Sequence, residues 1–451
     1  MNPNGENVNG RNQECEAQGH DAVPRIRWRF FLCFLGRAFR TRRVFAEYPR
    51  ASSSCLGVSV TLAGLLAALP GHAGAKVFAW GAGTFVTSDP SDFYNYGQSI
   101  VPDSLTNIVM VAGGWRHSLA LRADGTVSGW GDGSLRQTNV LSNSKYISIA
   151  CGGLHSLGLK SDGRVVAWGD DGYGQTSVPT NLNNVVQVAA GFYHSLALEA
   201  DGTVAAWGTS TNINEIGIDP SYGQALVPTG LTNVVAIAAG GWHNLALRSD
   251  GTLKAWGRDD NHESDVPVGL SNVVAVAAGT AYSMALRSNG TLVVWGQDTF
   301  GQTNVPSGLS NVVAIAAGGW HALALKSDGT VVAWGAGTAD ANTNLVYGQN
   351  IVPSGLTNVI QIAAGWAHSL VLIGDAPLAW SASLAQPAIG TNGFTVTVPT
   401  HNGRVYALEY ASSLPNKNWI AFPLRPGTGG AMTLRDPDTA AAQRFYRVRQ
   451  W

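Results

Sequence analysis

A chain of 451 residues with 55 glycines, 45% hydrophobic and only 13% charged residues is globular, with enough apolar sequence for one large core and a smaller one. Its formal net charge of -1 hides an asymmetry: residues 1–75 carry nine Arg against five acidic residues, leaving 19 basic and 24 acidic residues for the rest. A mildly acidic body excludes a phosphate-tracking basic surface, so no nucleic-acid partner is expected.

In chain order, residues 1–75 read as a leader. An Arg-rich stretch, RAFRTRRVFAEYPR, precedes the apolar run at 55–69, CLGVSVTLAGLLAAL, and then Pro70 and GHAGA. Ala73 and Ala75 give the small-x-small pattern of a signal-peptidase site. Fifteen apolar residues fall short of the about 20 that span a bilayer. The expectation is therefore a cleaved export signal, a secreted, periplasmic or cell-surface product, and no stable membrane span after cleavage. Cys15, Cys33 and Cys55 lie in the leader, so the mature chain keeps Cys151 alone and has no internal disulfide.

From residue 76 the chain repeats. Trp-Gly pairs begin at Trp80, Trp130, Trp168, Trp207, Trp256, Trp295 and Trp334, at intervals of 50, 38, 39, 49, 39 and 39 residues. A period near 40 marks a propeller or solenoid. Each unit has an apolar run such as VVAIAAG, a second such as HALALK, an Asx-Gly pair and a third run such as TVVAWG. Asp-Gly and Asn-Gly pairs predict two-residue hairpin turns, so each unit reads as an antiparallel meander of at least three strands. The first run of this kind, KVFAWG at 76–81, lacks partners, and the seventh unit lacks a clear third strand. Joining them would close a ring of seven blades over 76–378 with no open sheet edge.

The pattern AAG..HSLAL..DG.V.AWG...YGQ..VP resembles the RCC1 (regulator of chromosome condensation) repeat family. The resemblance covers about residues 76–373 and implies an all-β, seven-bladed RCC1-like propeller. The compact 39-residue units resemble bacterial secreted members, such as the propeller-type β-lactamase inhibitory protein. Guanine-nucleotide exchange, known for eukaryotic members, would require a cytoplasmic chain, and no exchange residue can be matched to a position in this sequence.

A glycine lies three residues before the second run in every unit: Gly114 and His117, Gly152 and His155, Gly191 and His194, Gly240 and His243, Gly279 and Tyr282, Gly318 and His321, Gly365 and His368. Six histidines distributed around a ring cannot share a metal that needs each ligand at about 2.0 to 2.1 Å. These glycines, histidines and Trp-Gly tryptophans are therefore assigned to the fold, with no metal, cofactor or catalytic residue. No G-x-S-x-G, H-E-x-x-H, G-x-x-x-x-G-K or Cys-x-x-Cys signature occurs. The acidic run RDDNHESD at 258–265 leaves a polysaccharide-active enzyme as the competing reading, because a glycosidase needs only two suitably placed carboxylates.

Strand direction puts the Gly-x-x-His turns and the segments after Trp-Gly on one face, and the Asp-Gly tips on the other. Immediately before the histidines stand Trp115 with Arg116, Phe192 with Tyr193, Trp242, Trp320 and Trp366. Such residues either complete the packing between blades or form a recognition surface, since binding hot spots are enriched in Trp, Tyr and Arg. Long connections at 82–97, 209–222 and 336–348 fall on this same face. Trp80, Trp207 and Trp334 are each 127 residues apart, so a three-blade block is duplicated and followed by one further long unit. In a closed ring the first and last long connections become neighbours.

Residues 379–390 read as a small-residue linker, and 391–451 as a small β-sandwich-like module of five short strands. The function expected from the sequence is an exported, noncatalytic propeller binding a protein partner, with a glycan as the alternative ligand.

Overall fold

The computed structural model describes residues 42–44, residues 75–374 save 86–93, 142, 210–221 and 338–346, and residues 385–450 save 391–392, 401–403, 412–419, 428–429 and 438–443. Every regular element among them is a strand.

The repeats form seven antiparallel three-stranded sheets. Blade 1 comprises Ile108–Gly113, His117–Arg122 and Val127–Gly131. Blades 2 to 6 repeat this meander at 148–169, 185–208, 234–257, 273–296 and 312–335. Blade 7 is composite: Lys76–Gly81 pairs with His368–Ile373, which pairs with Val359–Ala364. First strands of successive blades lie side by side, and that of blade 7 lies beside that of blade 1. The ring is thus closed by an early strand completing the last sheet, which leaves no unfinished blade to aggregate.

Middle strands are the buried ones. In HSLALR of blade 1, all residues from His117 to Leu121 are buried, and the same holds at the equivalent five residues of every other blade. Each middle strand is sandwiched between its own sheet neighbours and the adjacent blades, so both of its faces are buried, with the apolar residues following a polar start such as His117 and Ser118.

The Asx-Gly turns differ from the two-residue type that the sequence predicts. Gly125 N–H donates to Arg122 C=O (2.9 Å) and Arg122 N–H to Thr126 C=O (2.8 Å), so the loop is three residues, 123–125. Only the glycine takes a positive φ, 84° at Gly125, while Asp124 Oδ1 accepts the Thr126 N–H at 2.9 Å. This is a turn closed by a left-handed glycine and held by an Asx bond.

Beyond the ring, Gly393–Pro399 pairs with Ala431–Asp436 and with Ala385–Gly390. The expected linker 379–390 is therefore corrected: Ala385–Gly390 is a strand. Its register slips between Ala385 and Ala388, where Pro387 has no N–H to give the ladder. A second sheet pairs Val405–Ala411 with Phe445–Gln450 and with two short strands, Ile420–Ala421 and Arg425–Pro426. Phe394, Val396, Val398 and Leu434 from one sheet pack with Tyr406, Leu408 and Tyr446 from the other. Arg42–Val44, assigned by sequence to the leader, pairs with Phe445–Gln450, and the apolar run 55–69 lies outside the described residues.

This module docks on the Asp-Gly side. Leu424 N–H donates to Ala200 C=O (2.9 Å), in the hairpin tip of blade 3, and Val405, Ala407 and Leu424 join one apolar cluster with Leu198, Leu231 and Leu247. The opposite face, with the Gly-x-x-His turns, is the one this contact leaves clear.

Candidate functional site

The repeated polar residues form a ring of hydrogen bonds inside the propeller. His117 Nε2 meets Ser156 Oγ of the next blade at 2.9 Å, and the pattern continues from His155 to Ser195, His194 to Asn244, His243 to Ser283, His321 to Ser369 and His368 to Ser118. All six histidines are fully buried.

Proton positions follow from what lies beyond. Ser156 Oγ donates to Gln137 C=O (2.9 Å), so it must accept from His117. Asn244 settles the direction independently: its Nδ2 donates to Gln224 C=O (2.8 Å), so its Oδ1 accepts from His194 at 2.7 Å. Each ring is thus neutral with the proton on Nε2, and its Nδ1 has no hydrogen-bond partner. Burial pulls the pKa of five of these histidines down to about 3. His194 is held down to about 4, burial being partly offset by its bond to Asn244.

The glycine three residues earlier is a packing requirement. A Cβ on Gly114 would stand 2.7 Å from both His117 Nδ1 and the Gly152 carbonyl. The same loop carbonyls that receive the serines also receive the Trp-Gly indoles, as in Trp168 Nε1 to Gln137 C=O (2.9 Å) and Trp130 Nε1 to Gln98 C=O (2.8 Å). Trp80, Trp207, Trp256, Trp295 and Trp334 make the equivalent bond.

One step of the ring is different, and both of its ends have changed. Blade 5 has Tyr282 in place of histidine, and blade 6 has Ala322 where the other blades have serine or asparagine. With no hydroxyl or amide to meet, the longer phenol crosses to the backbone and donates to His321 C=O. Tyr282 is therefore a matched exception, and the histidine positions are structural throughout.

Above this ring the candidate binding residues occupy two registers. The position after each glycine holds Trp115, Gly153, Phe192, Gly241, Thr280, Gly319 and Trp366 around the axis. Large and small alternate, as in the filled interior of a small barrel. Seven is odd, so the alternation fails once, between blades 7 and 1, where Trp366 and Trp115 meet edge to face with centroids 4.9 Å apart. Phe192 closes the group, at 5.8 Å from Trp115 and 6.1 Å from Trp366. Gly319 has to be small, because a Cβ there would stand 2.7 Å from Trp366 Cγ. These three half-buried rings cap a central cavity of about 110 Å³ lined mainly by Gly and Ala, with Cys151 and Thr280 and no carboxylate. Burial raises the Cys151 thiol far above its ordinary range. Backbone bonds run between blades beneath the cap, among them Trp115 N–H to Gly152 C=O (3.2 Å) and Trp366 N–H to Gly114 C=O (3.1 Å).

The next position outward holds Arg116, Leu154, Tyr193, Trp242, Ala281, Trp320 and Ala367. Leu154 and Ala281 thus share the register of Arg116 and Trp242, and Trp115 belongs to the inner one. Partners for this outer register come from a position the sequence reading did not single out, two residues before the loop glutamine. Arg116 lies over the Tyr96 ring (4.7 Å) and donates to its hydroxyl (3.1 Å), Tyr193 packs on Tyr173 (4.7 Å), and Trp320 on Phe300 (5.6 Å). Tyr222 and Trp242 flank the Arg258 guanidinium, each centroid 5.2 Å away. Blade 5 has Asn261 and Ala281 at the two positions and so lacks an aromatic pair. The signal was available in blades 1 to 6, where the residue two before the loop Gln or Glu changes in kind with the residue two after the glycine; blade 7 departs from it with Tyr347 and Ala367.

The first and last long connections do meet, through Tyr94 and Tyr347, with centroids 5.1 Å apart, and Tyr94 also reaches Trp366 at 5.4 Å. An aromatic belt therefore crosses the face from Tyr347 through Tyr94, Trp366, Trp115 and Phe192 to Trp242, 5.0 Å from Phe192. Among the described residues no three His, Cys, Asp or Glu side chains gather as a metal site.

A closed ring of repeated three-stranded blades with such a face defines the class: a β-propeller whose sheets form the scaffold and whose loops vary. Six copies of the regulator of chromosome condensation (RCC1) repeat match residues 108–137, 146–175, 185–213, 234–263, 273–302 and 312–339, and the chain is an RCC1-repeat propeller. Among solved structures it is similar in fold to Prp20p of Saccharomyces cerevisiae, described with its binding properties to Gsp1p and histones. That match has 21% identity, a TM-score of 0.53, and covers 67% of this chain and 92% of the other. It is also similar to yeast RCC1 (Prp20) as bound by Kap60, at 21% identity and a TM-score of 0.53, covering 73% and 97%. Among curated proteins none matches.

Proposed function

We propose that this propeller is an exported, noncatalytic interaction module that holds a protein partner on its aromatic face, as an adhesion or inhibitor component. The observation that carries the reading is the outer register: Arg116, Tyr193, Trp242 and Trp320 are half-buried; Arg116, Tyr193 and Trp320 each pack against a loop aromatic of the same face, and Trp242 packs against the loop guanidinium of Arg258. Rigid aromatic and guanidinium anchors of this kind give large contact area at small conformational cost, which is the make-up of protein hot spots. A protein partner is preferred to a glycan because neighbouring rings are set at steep angles to one another, 56°, 59° and 85°, and so share no common plane on which a sugar could lie. The noncatalytic reading rests on the sequence, which assigns the repeated histidines to the fold and carries no G-x-S-x-G, H-E-x-x-H or G-x-x-x-x-G-K signature. Export rests on the leader sequence, with its apolar run and small-x-small site.

The test is affinity capture with the purified chain, comparing wild type with a Trp242→Ala, Trp320→Ala double variant. Loss of captured partners at unchanged thermal midpoint is the expected result. Retention of the same partners by the variant would remove the aromatic face from the reading.

A further inference from the structure

Among the described residues of the face, exposed carboxylates are most numerous in one sector. The connections that follow blades 4 and 5 carry Asp259, Asp260, Asp265 and Asp298, all exposed. Against them stand Arg258, paired with Asp260 at 2.8 Å, and His262, bonded to Asp265 at 2.9 Å. On the other described connections of the face Asp132 is buried, Asp170 half-buried and Asp171 exposed, and the same face carries Arg116 and Arg136.

Beneath the acidic sector one repeat position has changed sign. The loop residue that is glutamine in six units is Glu263 here, fully buried. Asn261 N–H donates to its Oε2 (2.8 Å), whereas its Oε1 has no hydrogen-bond partner and faces the Arg258 Nε at 3.8 Å. In blade 2 the corresponding pair is Gln175 Nε2 donating to Asp170 Oδ2 (2.8 Å). Donor and acceptor have exchanged places, and a carboxylate now lies under a surface that is already acidic. In this sector the outer register holds the non-aromatic pair Asn261 and Ala281, between Trp242 on one side and the Phe300 and Trp320 pair on the other.

Resting on the protein-binding reading above, we propose that this sector, between Trp242 and Trp320, receives a Lys- or Arg-bearing segment of the partner. Exposed carboxylates supply the complementary charge and the flanking indole faces attract cations. Steering by such a patch would act mainly on association rate and be screened by salt.

The full chain is immobilised and panned with a random displayed peptide library, and enriched peptides are titrated against three proteins. These are wild type, the triple variant Asp259→Asn, Asp260→Asn, Asp298→Asn, and the Trp242→Ala, Trp320→Ala double variant. Asparagine keeps the Oδ1 that accepts Ser264 N–H and Thr303 N–H (both 2.9 Å), so the loops stay capped. Peptides enriched in Lys or Arg, bound about tenfold more weakly by the triple variant and more weakly as salt rises, are the expected result. Peptides that need the tryptophans but are indifferent to the triple variant would overturn the basic-segment inference and leave the binding face standing. Peptides indifferent to all substitutions, or no enrichment, would overturn both. Asp260→Lys, on an exposed side chain, repeats the charge test by reversal should the tryptophan variant fail to fold.

Discussion

The interior ring and the face above it are one or two residues apart in sequence and follow opposite rules. His117 and Ser118 belong to a bond that recurs around the propeller, and its one exception, Tyr282, is matched by Ala322. Trp115 and Arg116, directly before them, are replaced by Gly153 and Leu154 in blade 2 and by Thr280 and Ala281 in blade 5. The buried Nε2–H of each histidine has to find an acceptor, which holds the inter-blade bond to one solution even though Nδ1 goes without a partner. Side chains that project from the turns are free of that demand, and only the inner register must alternate in size.

Acid should break the ring before it touches the face. A histidine whose folded pKa lies below its unfolded value near 6.5 stabilises the fold fully above pH 6.5, and that stability is lost as pH falls toward about 3. Six such groups each contribute a slope of about 1.4 kcal/mol per pH unit below 6.5. Against a total stability of about 5 to 15 kcal/mol, cooperative unfolding is expected within about two pH units. Circular dichroism against pH checks this, and a thermal midpoint constant from pH 6.5 to 4.5 would show that the histidines are not held neutral.

Smaller effects sharpen the boundary. Gly319→Val should cost about 3 kcal/mol by driving a side chain into Trp366, while Thr280→Val, at the same register without an opposing ring, should cost less than about 1.5. Equal losses in denaturant melts would refute the alternation. At the exceptional step, Tyr282→His should cost about 2 kcal/mol, because its new imidazole has no hydroxyl to meet. Adding Ala322→Ser should recover about 1 kcal/mol, measured as the coupling in a double-mutant cycle. Arg258→Ala should destabilise by about 2 kcal/mol by leaving the Glu263 carboxylate buried without its counter-ion, and Glu263→Gln in that background should restore most of the loss.

Much of the scaffold was legible. The Trp-Gly spacing, the orphan strand at 76–81 and the incomplete last unit predict a closed ring, because a strand without partners and a sheet left with an open edge are each unfavourable alone. The turn type was not legible, since Asp-Gly serves two-residue and three-residue loops alike and strand pairing decides between them. Nor was the strand at Ala385–Gly390, whose small residues carry no periodicity and are ordered by backbone pairing with Gly393–Pro399. The aromatic candidates were legible as residues, and their division into a cap and an outer register was not.

By itself, then, the sequence determined the blade, its repetition and the residues that differ between copies, because local turn chemistry and strand alternation are written in each unit. Tertiary structure alone decided which differing residues meet. Tyr94 reaches Trp366 only because residues 250 or more apart are brought together by closure, and Arg258 comes under Trp242 and over Glu263 only because a loop returns across its own blade. The contact of Tyr94 with Trp366 depends on the ring being shut, and no local pattern encodes it.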